Sequence, residues 1–275
     1  MHRQLRALDR YYAHESPRAI RRGDGRRRFL VGSATAVVAV LVTGHVLDAQ
    51  GVDIGLSGIH TRRGDGPTTV EPGSGSYRFI AHQPGRPEEA VTYDACRTIR
   101  VVVNDRIAPS GADALLDQAI AEVSRSTGLS FRRDGRTDEQ PRHDRPTRDP
   151  ARYGGGWSPV VVGWTTPRAE AGLRGAVVGL GGSTRVVDTR TGRSFFVTGA
   201  VSLDTPALVD VLALPDGSAE VRAVLMHELG HVVGVAHVEE PSELMNARGS
   251  GVTEFGPGDL TGLAALGRGH CGGPR

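Results

Sequence analysis

The sequence predicts an α+β domain built on a mixed, twisted β-sheet, preceded by a separate amino-terminal apolar helix. Three observations carry this prediction. Strand-like runs recur at 96–103, 160–164, 176–180 and 194–203. Helix-period apolar stripes occupy the stretches after Ser110 and after Asp216. An uncharged apolar run, Phe29 to Leu47, stands apart from these, followed by residues 48–76, which offer little to bury.

Residues 1–28 carry nine Arg against Asp9, Glu15 and Asp24, a local charge of +6. Phe29 to Leu47 then runs for 19 residues without a formal charge. A helix of that length spans roughly 28 Å, close to the ~30 Å hydrocarbon core of a bilayer. A basic flank before an apolar run is the pattern of an export or anchor signal whose amino terminus stays inside. Arg26-Arg27-Arg28-Phe29-Leu30 resembles a twin-arginine signal, although Gly25 stands where Ser or Thr is usual. A membrane-spanning signal anchor, a cleaved signal and a buried core helix are therefore all open. Residues 48–76 are rich in Gly, Pro, Ser and Thr and read as a flexible linker.

The folded domain is expected to cover 77–275. A strand through Val101, Val102 and Val103 ends at Asn104. Ser110, with Asp113 three residues on, reads as a helix cap; Leu116, Ile120 and Val123 form the inner stripe and Gly128 stops the helix. Leu129 to Phe131 reads as a second strand. Residues 136–152 are charged and broken by prolines, so they read as an exposed loop, with metal binding by His143 and Asp144 as the alternative. Val160 to Trp164, Ala176 to Leu180 and Ser194 to Leu203 follow as strands, the glycine-flanked middle one suited to a sheet edge.

Composition narrows the function classes. The chain has 275 residues and a formal charge of +2, with 38% hydrophobic residues, so a sizeable core is possible and a strongly cationic nucleic-acid binder is not expected. With two cysteines, Cys96 and Cys271, neither a four-cysteine metal cluster nor a dense disulfide scaffold can form. On an exported chain, two cysteines bracketing a domain most simply pair, stabilising by up to about 5 kcal/mol in the loop-entropy account.

The chemistry is concentrated in the last helix pattern before residue 245. Val221, Leu225, Leu229 and Val232 form an apolar stripe, and His227 and His231, four apart, project together from another side. That spacing suits two nitrogen ligands on one Zn²⁺. Glu228 follows the first of them and lies beside the metal position instead of on it. A straight helix would carry His237 away, so the helix must end near Gly234, where a residue without Cβ can turn the chain back. Three histidines leave a coordination position open for water, as catalytic zinc requires.

The run HELGHVVGVAH resembles the extended zinc-binding motif of the metzincin metallopeptidases. Met245, eight residues beyond His237 in Ser242-Glu243-Leu244-Met245-Asn246, resembles their methionine turn, and the spacing is similar to the matrixin branch. The segment from Gly258 to Gly267 resembles the matrixin carboxy-terminal helix. This resemblance implies a twisted sheet above an active-site helix, a closing helix, and Ala176 to Leu180 as the cleft-edge strand against which an extended substrate pairs. Three departures stand out. No cysteine lies between the apolar run and Cys96 to act as a latency switch. Nothing in 136–193 matches the His/Asp-rich structural-zinc loop. Gly258 occupies a position that is acidic in many matrixins, leaving Asp259 to support the methionine turn.

The resemblance implies one catalytic zinc on His227, His231 and His237, with Glu228 as general base for peptide-bond hydrolysis outside the cytoplasm. Calcium is compatible with it, but no residue pattern assigns a calcium site. Expected partners are a peptide or protein substrate and, if the apolar helix is kept, the membrane; otherwise the protein is secreted. A monomer is expected. The alternative from another class is a non-catalytic zinc-containing domain at the cell surface that binds peptides without cutting them.

Overall fold

The computed structural model describes residues 75–249 and 251–275. The basic segment, the apolar run and all but the last two residues of the expected linker lie outside them. Among the described residues no helix is long and apolar enough to cross a membrane.

Four short strands open the described chain: β1 (Arg78–Phe79), β2 (His82–Gln83), β3 (Arg86–Ala90) and β4 (Thr92–Tyr93). After them come β5 (Ile99–Asn104), α1 (Ala112–Thr127), β6 (Phe131–Arg136), α2 (Pro150–Tyr153) and β7 (Val160–Thr165). The remainder is β8 (Gly179–Val187), β9 (Ser194–Asp204), α3 (Thr205–Leu212), α4 (Gly217–Val233), β10 (Val235–Ala236) and α5 (Pro257–Gly267). The main sheet runs β4-β9-β7-β5-β6 with all neighbours parallel, and β8 adds to β9 antiparallel. The sheet is mixed as expected, yet mostly parallel, because α1 makes a crossover between β5 and β6.

The two faces of the sheet are covered differently. Val101, Val103, Val162, Trp164 and Val201 point to the helices and join Leu116, Leu225, Leu229 and Leu266 in the main core. Val102, Val161 and Ala200 point the other way, against Tyr153. The segment read as an exposed loop covers that second face and is only partly exposed. Pro141 and Arg145 are buried. Arg145 bonds both Glu139 carboxylate oxygens (2.8 and 2.7 Å), the Pro159 carbonyl (2.6 Å) and Thr198 Oγ1 (2.6 Å). A charge can be buried there because it is paired and its N–H groups are satisfied.

Three local expectations need correction. Ser110 does not cap α1: Gly111, at φ 81°, is the cap residue without a side-chain bond, and Asp113 receives Arg133 Nη2 at 2.6 Å instead. The strand expected at Leu129 to Phe131 begins at Phe131 and runs to Arg136. Its charges are spent in pairs, Arg133 with Asp113 and Asp117, and Asp134 with Arg100 and Arg132, so a polar sequence makes an edge strand. The strand expected at Ala176 to Leu180 starts at Gly179 and runs to Val187, and it is indeed an edge.

Cys96 and Cys271 are bonded to each other across 175 residues, with Cα atoms 5.2 Å apart. The tail beyond is tied to the same place: Arg97 bonds the carbonyls of Gly273 and Pro274, and the Gly273 N–H donates to Asp94.

Candidate metal centre

The centre begins with α4. Its apolar stripe of Val221, Leu225, Leu229 and Val232 has no exposed surface. From Leu225 to Val233 every residue but the half-buried His227 is buried, with β8 along one side of the helix and α1 along another. Helix α4 ends at Gly234, whose φ of 122° lies outside what side-chain-bearing residues readily adopt. The chain reverses there and forms the two residues of β10, which deliver His237.

The turn brings three imidazoles together. The Nε2 atoms lie 3.1 Å apart for His227 and His231, 3.0 Å for His227 and His237, and 3.0 Å for His231 and His237. Two of the rings are oriented from behind. His227 Nδ1 donates to the Leu244 carbonyl and His231 Nδ1 to the Val235 carbonyl, each at 2.8 Å. With the proton on Nδ1, each Nε2 presents a lone pair to the common point. Lone pairs facing one another at this distance repel, and a cation between them satisfies all three. Neutral, borderline-soft nitrogen donors of this kind fit Zn²⁺.

Burial keeps the rings neutral. It lowers His227, lowers His231 well below 6.5 with help from His237 and His227, and pushes His237 down to about 3. Protons therefore compete poorly for these nitrogens near neutrality.

Glu228 is 6% exposed, and burial pushes its carboxyl up to about 8 against a backbone hydrogen bond from Gly181. Its place is set by glycines. A β-carbon on Gly179 would fall 2.7 Å from Glu228 Oε1, and one on Gly181 would fall 2.1 Å from the Glu228 carbonyl oxygen. Alternate glycines share one face of a strand, so β8 lies directly on α4 at this residue. Ser183 fastens the two, donating to the Val232 carbonyl at 2.8 Å and meeting Tyr93 Oη at 2.7 Å. The opposite edge of β8 has no strand partner among the described residues.

Met245 has no exposed surface and lies against Gly230, where a β-carbon would come within 2.7 Å of its sulfur. Its turn hangs on two buried carboxylates. Asp259 accepts the N–H groups of Leu244 (2.6 Å), Met245 (3.4 Å) and Gly256 (3.1 Å), the support anticipated for it. Glu243, with no exposed surface, accepts those of Gly258 and Asp259 at 2.9 Å and of Ser76 at 3.3 Å. Glu243 thus caps the amino terminus of α5, a role sequence reading missed. Nothing in its local pattern marks it, because its donors lie 15 and more residues away.

His143 and Asp144 join no three-residue metal-binding group among the described residues. Asp144 pairs with Arg142 at 3.0 Å, while His143 sits half-buried near the charge of Glu170. A cavity of about 510 Å³ lined by Tyr93, Trp157, Phe195 and the tail residues contains none of the three imidazoles.

No family model and no curated protein matches this chain. Similar solved structures include archaemetzincin from Methanopyrus kandleri, with TM-score 0.39 and 16% identity over 62% of this chain and 96% of that one. Another is high choriolytic enzyme 1, a hatching-enzyme zinc protease from the medaka fish Oryzias latipes, with TM-score 0.32 and 13% identity over 66% of this chain and 94% of that one. Likenesses this faint carry no argument, and the centre is read from its own geometry.

Proposed function

We propose that the protein is a zinc-dependent endopeptidase of metzincin type, in the matrixin branch, acting outside the cytoplasm from a membrane anchor or after secretion. The observation that carries this reading is the convergence of three neutral imidazole nitrogens beside a buried carboxylate, on a helix that lies against an edge strand. His227, His231 and His237 would hold the ion. When bound, zinc supplies Lewis-acid polarisation of the scissile carbonyl and acidifies water at the site. Beside a bound cation the Glu228 carboxyl would be held ionised, so that it takes the proton from the attacking water and delivers it to the leaving amine as the carbon–nitrogen bond breaks. The edge of β8 that pairs with no strand among the described residues would offer main-chain donors and acceptors to an extended substrate, which brings the peptide past the Glu228 carboxyl. Met245 and its turn hold His227 from behind through the Leu244 carbonyl.

Glu228→Gln is the deciding variant. It should retain one zinc per chain and the wild-type melting temperature while losing cleavage of a proteome-derived peptide library by at least ~100-fold, the scale of general acid–base catalysis. Wild-type protein that carries zinc yet leaves the library intact would instead favour a peptide-binding domain.

A further inference from the structure

We propose that Gly75–Ile80, which contributes no ligand, is a positioning strap for His237 and for the turn beneath the triad. The proposal rests on reading the triad as a metal site. Arg78 and Phe79 pair antiparallel with Ala236 and Val235, and Ile80 N–H donates to the Gly234 carbonyl at 2.9 Å. Residues 234–236 are the whole connection between the end of α4 and His237. A two-residue strand cannot hold its own shape, and β1 is the strand that pairs with β10 among the described residues. The same Val235 whose carbonyl orients His231 is thereby tied to Phe79. Displacing β1 would move the supports of two ligands together.

The strap's outer end reaches the methionine turn. Ser76 N–H donates to Glu243, two residues before Met245. Backbone lies on backbone there: a β-carbon on Gly258 would come within 2.3 Å of the Ser76 carbonyl oxygen, and one on Gly75 within 2.3 Å of the Gly258 nitrogen. This explains why Gly258 departs from the acidic residue expected at its position, since any side chain would lift the strap.

The test uses the full chain with Co²⁺ and Zn²⁺. Ile80→Pro removes the N–H that reaches Gly234, and Ser76→Pro removes the one that reaches Glu243. Val102→Ala, on the far face of the sheet, serves as a destabilised control. Far-UV circular dichroism identifies which variants fold, and chelator competition measures metal affinity. Folded strap variants should bind about 10- to 100-fold more weakly, the range for outer-shell support of ligands, with an altered Co²⁺ d–d spectrum. The control should keep both affinity and spectrum. If Ile80→Pro does not fold, Ser76→Pro decides. Wild-type affinity in the folded strap variants, or equal weakening in the control, overturns the strap. Wild-type protein that takes up no Co²⁺ or Zn²⁺ overturns the metal-site reading itself.

Discussion

Gly181 and Glu228 meet backbone against backbone, so closely that a β-carbon on Gly181 would stand 2.1 Å from the Glu228 carbonyl oxygen. The obstacle is main chain inside a buried helix, so it cannot rotate aside. Gly181→Ala must push β8 off α4, at a cost of about 1–3 kcal/mol or more for overpacking. Gly155, which has open space around its Cα, serves as the comparison. Thermal melts should show a loss of several degrees for Gly181→Ala and little change for Gly155→Ala, and peptidase activity should fall with the former alone. An unchanged melt for Gly181→Ala would mean that the strand and helix are less closely packed than described.

Glu243 answers three N–H groups, those of Gly258 and Asp259 in buried bonds and that of Ser76 nearer the surface. Glu243→Ala leaves those of Gly258 and Asp259 buried without an acceptor, each worth about 1–3 kcal/mol. The expected result is a destabilisation of about 3 kcal/mol in urea unfolding at unchanged m-value. Glu243→Gln keeps one oxygen acceptor and should recover part of the loss. Equal stability for Glu243→Ala and wild type would remove Glu243 from its capping role.

The depressed imidazoles make the metal-free protein acid-sensitive in a definite direction. His237 has a pKa of about 3 in the folded state against 6.5 as its unperturbed value. Its contribution to stability is thus complete above pH 6.5 and lost as pH falls toward 3, up to about 2 kcal/mol between pH 7 and 5. Burial raises Glu228 to about 8 and Asp259 to about 6, so their contributions run the opposite way, complete at low pH and lost as pH rises. Those opposing groups are common to wild type and His237→Ala. With a chelator present, wild type should therefore lose more melting temperature from pH 7 to pH 5 than His237→Ala does. Equal losses would show that the folded protein does not hold His237 neutral.

The line between what was legible and what was not follows the range of the interactions. His227, Glu228, His231, the stop at Gly234 and the return of His237 were readable because a helix repeats every 3.6 residues and a glycine ends it, both local rules. The stripes of α1 and α4 and the strands Val160–Thr165 and Ser194–Asp204 came out for the same reason. Edges of elements did not. β6 was misplaced because its arginines look like loop until Asp113 and Asp117 stand beside them, and Ser110 looks like a cap until Gly111 takes the turn.

By itself, then, the sequence determined the identity of the three nitrogens, the carboxylate between two of them and the methionine that follows. Only the tertiary structure decided how they are held. Arg145 goes inside because Glu139 and Thr198 await it. Glu243 becomes a cap because α5 begins 14 residues later, beneath it. Gly181 and Gly258 are glycines because other backbone lies on them, and Gly75–Ile80, written as the end of a linker and the start of a domain, becomes the support of the third histidine. Each of these depends on distances between residues far apart in the chain, which composition and periodicity do not encode.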